Sequence, residues 1–528
     1  MQIVDDHYSK TSLTKTQKNQ METPISTDDI LMLAAIPEAL HTAFLRVANG
    51  LIQRANYPKE KVMSLLAQML QNPKKFAYSK NKVTNLARLI YDLNKQGIAV
   101  PLSEVGTAYL PAEPSPYALE ASEKQAEHTF DLRTGPLPYA VYGREFIEEG
   151  ALKQMETAAS LPISVAGALM PDAHQGYGLP IGGVLATESN TVIPFAVGVD
   201  IACRMCLSVF DLPPAFLKRE PHLMKKSLVE QTKFGIGGET RDKFDESVMD
   251  LPEWQATKVI RNLKDKAYRQ LGSSGTGNHF VEWGIVDVYE QDDQLNLPPG
   301  EYLALLSHSG SRGFGGNVAN YYSKLAMQKT KLPKQAAHLA WLDLTTEEGQ
   351  EYWIAMNLAG DYASANHHEI HNKLAKALGE KPLVMVENHH NFAWKEQLAD
   401  GREVIVHRKG ATPAGSDVLG IIPGSMTQSG FVVRGRGDAD SINSASHGAG
   451  RLMSRTQAFN NITRSQLNKA LQEADIQLIG GDLDEAPMVY KNIETVIGAQ
   501  RDLVSVLAKF TPKIVRMADA NRKEGRED

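Results

Sequence analysis

Residues 192–210 read VIPFAVGVDIACRMCLSVF, and this stretch decides what kind of body the chain can fold into. It is the most apolar long run in the sequence, yet Asp200 and Arg204 stand near its middle. A charge at the centre of a bilayer costs about 3 kcal/mol, so the run does not span a membrane. Its first part, VIPFAVGVDI, reads as a buried strand, and the polar residues behind it mark a loop at the strand end. The same texture continues outward. From about Gly135 glycine is dense, REVIVH (402–407) reads as another buried strand, and helical stretches such as Gln350–Leu378 and Gln466–Glu473 lie between. The pattern predicts one large α+β catalytic body over residues 135–518, mixed sheets and helices with polar residues on strand-end loops, and a charged tail over 519–528.

Upstream the pattern changes. Residues 1–28 are polar and are expected to form a disordered tail. Apolar positions then recur three and four apart in Ile30–Ala55, Lys61–Leu70 and Val83–Leu93, which predicts a helical N-terminal region over 29–115. Pro58 suits a first helical turn and Gly97 a helix stop. The Pro-rich stretch PLSEVGTAYLPAEPSPYAL (101–119) reads as the domain boundary. This region has His41 as its one histidine and no chemical motif, so it reads as a docking or substrate-selecting module.

With 42% apolar and 22% charged residues over 528 positions, collagen, coiled coil and wholesale disorder are excluded. The 56 basic and 62 acidic side chains give a net charge of −6, which excludes a general basic coat. Any nucleic-acid site must be local. Candidates are Lys324, Lys329, Lys331 and Lys334, with Arg434, Arg436 and Arg455. Cys203 and Cys206 are the whole cysteine complement, so there is no disulfide framework. With no apolar core in MQIVDDHYSKTSLTKTQKNQ, the chain reads as a cytoplasmic protein without a membrane partner.

The chemistry gathers in short loops. In GVDIACRMC (198–206), a turn after Asp200 could bring its carboxylate beside Cys203 at a strand end. The residues allow a metal-binding Asp–Cys pair, two buried structural cysteines, or a redox CxxC. Four histidine loops follow: GTGNHFVEW with His279, LSHSGSRG with His308, ENHHNFAW with His389 and His390, and SASHGAGR with His447. Three such histidines with Asp200 and Cys203 suffice for a two-metal site with open positions. His367, His368 and His371 share a helix but lack an HExxH glutamate, and read as structural. In SASHGAGR the residues Gly448, Ala449, Gly450 and Arg451 form a small-residue loop able to cradle phosphate, beside a histidine that could carry a nucleotide. IIPGSM (421–426) and HRKGAT (407–412) strengthen the nucleotide reading.

These motifs, with MPDAHQGYGLPIGG (170–183) and DEAPMVYKNI (484–493), resemble the RtcB-type RNA-splicing ligases from about Pro136 to about Val515. The resemblance implies a manganese- and GTP-dependent enzyme that joins an RNA 3′-phosphate or 2′,3′-cyclic phosphate to a 5′-hydroxyl. It implies two manganese ions bridged by Cys203, with Asp200 and His279 on one and His308 and His390 on the other. His447 would be the guanylylated histidine. GTP would touch Asn278, His279, Phe280, Val281 and Glu282, then His390 and Asn391, then Pro423, Gly424, Ser425 and Met426, then His447, Gly448, Ala449, Gly450 and Arg451, with Glu282 and Tyr490 holding guanine. Met517 stands where the family usually has a lysine that contacts guanine, Gly430-Phe431 replaces a serine-aromatic pair, and His367 stands where arginine is common. The resemblance names no helper protein. The rival readings are a metal-dependent cyclic phosphodiesterase that forms no nucleotide adduct, and a non-catalytic RNA-end binding protein.

Overall fold

The computed structural model describes residues 24–55, 59–77, 83–103, 105, 109, 128–241, 243, 244 and 247–519. Contacts divide the chain into two compact units, with the division between Ser122 and Glu123.

The first unit carries helices α1 (Thr27–Leu33), α2 (Glu38–Ala55), α3 (Lys59–Gln71), α4 (Pro73–Ala77) and α5 (Thr84–Lys95). The tail expected over 1–28 lies outside the described residues as far as 23, and its last residues are folded. Ile25 is buried, and Ser26 and Asp29 form a reciprocal capping box at the start of α1. The helical period over Ile30–Ala55 is interrupted, because Pro37 disfavours helix at Ile36 and opens a short extended link. Pro58 lies outside the described residues, as does most of 101–119. Gly97 stops α5 at φ +82°, where its N–H bonds Asn94 O and the Ile98 N–H bonds Leu93 O, a Schellman closure. Ile30, Phe44, Leu66, Leu86 and Ile90 lie in this unit's own core.

The second unit is an α+β body. In chain order its main strands begin with β1 (Ala140–Val141), β2 (Ser164–His174), β3 (Ile181–Glu188), β4 (Arg204–Phe210), β5 (Phe280–Val288) and β6 (Gly300–Ser309). They continue with β7 (Pro382–His389), β8 (Asn391–Gln397), β9 (Glu403–Lys409), β10 (Leu419–Ile422), β11 (Gly430–Gly435), β12 (Gln477–Ile479) and β13 (Val504–Met517). The large sheet runs β7-β4-β6-β5-β13-β11-β10, with β12 parallel to β13. The smaller sheet runs β8-β9-β3-β2-β1. The chain passes from one to the other at His390, between β7 and β8.

Three helices matter for the site: α6 (Pro194–Val197), α7 (Arg312–Lys329) and α8 (Glu347–Leu378). VIPFAVGVDI is therefore not one strand. Pro194 sits at a first helical position, where its missing N–H costs nothing, and Gly198 at φ +101° ends the turn. REVIVH does fall largely on β9. Helix α8 starts three residues before the expected Gln350, because Thr346 caps it through the Gly349 N–H. Its buried Tyr352, Tyr362, Ile370 and Leu374 hold it against the body. Among the described residues no helix is long and apolar enough to cross a membrane.

Candidate active site

Asp200 and Cys203 lie on the turn between α6 and β4, closed by a Cys203 N–H to Asp200 O bond of 3.1 Å with Ala202 at φ +57°. That turn puts the thiol and the carboxylate on the same side, which a straight strand could not do. His279 immediately precedes β5, His308 is the penultimate residue of β6, and His390 is the sheet crossing. Their Nε2 atoms converge on the cysteine: Cys203 Sγ is 3.4 Å from His279 and 3.0 Å from His308. His279 Nε2 is 3.0 Å from Asp200 Oδ2, and His308 and His390 are 3.3 Å apart through Nε2. Two triads result, Asp200–Cys203–His279 and Cys203–His308–His390, with Cys203 common to both. Gly310 is required here, since a Cβ would stand 2.3 Å from Asp200 Oδ1.

The electrostatics suit cations. Burial lowers His308 to about 3 and holds His390 well below the ordinary imidazole range, so both offer neutral nitrogen lone pairs at pH 7. Burial and the neighbouring Asp200 push the Cys203 thiol up. A bound cation reverses that and takes the thiolate. Burial works to raise the Asp200 carboxyl, but the His279 imidazole beside it outweighs that and holds it below the usual range. Asp200 Oδ2 is left without a well-formed hydrogen bond, while His308 Nδ1 is oriented by Asn278 O at 3.0 Å. A buried set of one sulfur, one carboxylate and three imidazole nitrogens fits a pair of transition-metal ions.

Beside this cluster stands His447, its ring centroid 4.9 Å from that of His390. Asp172, wholly buried on β2, accepts from His447 Nδ1 at 2.7 Å and from the backbone N–H of His447 and Gly448 at 3.2 and 3.3 Å. Burial alone would raise the Asp172 carboxyl, but His447 and Lys491 outweigh it and hold it below the usual range. With Nδ1 engaged, Nε2 is the nitrogen left for chemistry in the cavity that His447 lines.

That cavity, of about 480 Å³, joins the two-triad cluster, the 447–451 loop and the PGSM loop into one space. Its far end is walled by Phe280, Glu282, Met426, Tyr490, Val515 and Met517. β5 pairs Phe280 with Met517 and Glu282 with Val515 of β13, which sets these side chains side by side. Burial raises the Glu282 carboxyl well above its ordinary value, and no neighbouring cation offsets it. The Tyr490 hydroxyl bonds Glu485. Arg451 lies over the Tyr490 ring, its guanidinium engaged by Glu485 at 3.4 Å and Asp484 O at 2.8 Å.

A family model described as "tRNA-splicing ligase RtcB" matches residues 154–254 and 238–518. The chain is 34% identical over 397 residues to the RNA-splicing ligase RtcB of Escherichia coli strain K12, a span covering 68% of this chain and 92% of that protein. To the tRNA-splicing ligase RtcB of Methanococcus maripaludis it is 30% identical over 421 residues, 67% of this chain and 88% of the relative. The RNA-splicing ligase RtcB homolog 1 of Entamoeba histolytica is 28% identical over 460 residues, 74% of this chain and 87% of the relative. The chain belongs to the RtcB family.

In this RtcB chain every site residue expected from the sequence lines the cavity except Val281. Strand alternation explains it: Phe280 and Glu282 face the cavity, while Val281 packs in the core with Trp283 and Leu305. Alternation also separates His390 from His389, which stacks on Trp394 at 5.1 Å. Of the candidate RNA-binding cations, Lys329, Arg434 and Arg455 pair with Glu348, Asp292 and Asp484 respectively. Sequence reading missed two residues. Asp172 was present in the quoted MPDAHQ motif, yet only the fold sets it against His447. Lys409 lines the cavity, donates to Tyr177 O, and is pulled down to about 7 by burial.

Proposed function

We propose that this protein is an RNA ligase that seals RNA 3′-phosphate or 2′,3′-cyclic phosphate ends to 5′-hydroxyl ends through a guanylyl group carried on His447. The observation that carries the reading is the Asp172–His447 pair set against the His390 edge of two side-chain triads able to hold metal ions. Asp200, Cys203, His279, His308 and His390 would hold two manganese ions, which supply Lewis-acid charge against phosphate oxygens. The protein's own residues do the rest. Asp172 fixes the His447 proton on Nδ1, so Nε2 is a neutral nucleophile toward the α-phosphorus of GTP. The new N–P bond releases pyrophosphate, and the small residues Gly448 to Gly450 let backbone approach the phosphates. A cyclic end is first opened by water, which adds to phosphorus as the bond to O2′ breaks, and an oxygen of the resulting RNA 3′-phosphate then takes the guanylyl group and frees the histidine. The 5′-hydroxyl next attacks the activated 3′-phosphorus and GMP leaves.

Glu282 supports guanine as the base. A carboxylate accepts from N1–H and N2–H₂ together, a pair adenine does not present. A base donating both would also offset the burial that raises this carboxyl. Two unpaired buried thiols suit a reducing compartment, and we place the enzyme in the cytoplasm. The test is intact mass after incubation with manganese and each NTP in turn. A GMP-sized increment on the wild type, absent from His447→Ala, is expected. Hydrolysis of cyclic ends without any adduct would assign the site to a phosphodiesterase instead.

A further inference from the structure

Cross-strand pairing places Glu387 of β7, Cys206 of β4 and Ser307 of β6 in one row. Ser307 precedes the active-site ligand His308, so alternation sets this row on the opposite face of the large sheet. Helix α8 packs over that face with His367 and His371, one turn apart. Cys206, His367 and His371 are all buried, and their donor atoms lie within 4.8 Å of one another. A sheet–helix interface at this depth ordinarily holds aliphatic side chains, because buried polar atoms must each find a partner.

We propose that Cys206, His367 and His371 form a second metal site, holding one zinc-class divalent ion that fastens α8 to the back of the catalytic sheet. The donor set is the first support. One thiolate and two imidazoles are a donor set that suits a zinc-class transition-metal ion. The second support is the ring orientation. Ser307 Oγ meets His367 Nδ1 at 2.7 Å and His371 Nε2 at 2.8 Å, and Ser208 Oγ meets His371 Nδ1 at 2.8 Å. Ser208 Oγ on His371 Nδ1 is an outer group of the kind that orients a metal-ligating histidine, while Ser307 Oγ occupies the gap between His367 Nδ1 and His371 Nε2. His367 Nε2 remains buried with no well-formed hydrogen bond, although Ser309 O is near. A zinc ion with one thiolate leaves a single positive charge; the Glu387 carboxylate on the same face beside Cys206 is already paired with Arg204 at 2.7 Å. The fourth position falls to a water molecule or to Ser307 Oγ, which already sits between the two rings. None of this depends on the ligase reading.

The competing account is a metal-free hydrogen-bond chain, His367–Ser307–His371–Ser208. Cobalt(II) distinguishes the two, since it reports thiolate ligation by a near-ultraviolet charge-transfer band. The full chain is stripped with chelator and reloaded with Co²⁺ alone. Because Cys203 is the one other thiol, Cys203→Ser isolates Cys206. Cys203→Ser is expected to keep a thiolate–cobalt band, and both Cys203→Ser/Cys206→Ser and Cys203→Ser/His367→Gln to lose it. A folded Cys203→Ser protein with no band overturns the site, as does a band that survives His367→Gln. Should Cys203→Ser fail to fold, zinc content of the zinc-loaded Cys206→Ser protein decides. A fall of about one equivalent is expected for a single four-ligand site, and a content equal to wild type overturns it.

Discussion

Asp172 and His447 stand 275 positions apart in the chain and are joined by one carboxylate oxygen. Asp172→Asn keeps the shape but can present an N–H to Nδ1, which favours the wrong tautomer. We expect adduct formation to slow by about 10²-fold or more, measured by rapid-quench mass spectrometry, with the metal content unchanged. The same residue marks the pH dependence of stability. Its folded pKa is depressed, so its contribution is present above the ordinary value of 3.8 and is lost as pH falls through the folded value. The urea stability of wild type over Asp172→Asn should therefore shrink below about pH 4, the range set by that linkage. Glu282 has the opposite sign. Burial raises it, so it costs stability once pH rises above the ordinary 4.5. Glu282→Gln is expected to raise Tm at pH 7 while narrowing the GTP-over-ATP preference in adduct formation by about 10- to 150-fold, the range of one hydrogen bond to a charged group. A Tm that falls, or a preference that holds, would refute this account of the pocket.

At the scale of the element, the loop after the histidine separates two glycines that look alike in SASHGAGR. Gly450 sits at φ +75°, and a Cβ there would stand 2.0 Å from the Asp172 carbonyl. Gly448 has no such φ, and a Cβ would meet Pro423 O at 3.4 Å. Gly450→Ala should cost about 2 kcal/mol or more and disturb the strand that carries Asp172. Gly448→Ala should unfold near the wild-type midpoint and act chiefly on nucleotide KM. Chemical denaturation and steady-state kinetics on the pair check both. The helices show how far periodicity reads: α8 was legible from its apolar spacing, while its true start depended on the Thr346 cap. Pro194 and Pro37 each replaced regular structure expected from apolar content alone, because a missing N–H and a restricted preceding residue outrank hydrophobicity locally.

For the whole molecule, the two units have separate cores, and the family match lies wholly within the second. We take the N-terminal helices to select substrate rather than build the active site. The first strand pair of the body involves His128 and Thr129, so a fragment beginning at Glu123 keeps it. That fragment should form the His447 adduct at close to the wild-type rate while sealing structured RNA poorly. A soluble fragment without the adduct would show that the first unit completes the site.

The sequence by itself determined the α+β class and the family, and it picked out residues that the fold gathers around one cavity, because those residue types come in short loops beside apolar runs. Asp200 and Cys203 share a turn, and His279, His308 and His390 each adjoin a strand, so local order already announced them. Only the tertiary structure decided which face each neighbour takes. It turned Val281 inward between Phe280 and Glu282, sent His389 to Trp394, and set Asp172 under His447. It also brought Cys206 of one strand to His367 and His371 of a distant helix. Pairing between strands and packing of helix on sheet are non-local, and their outcome is set by which surfaces bury together rather than by any spacing along the chain.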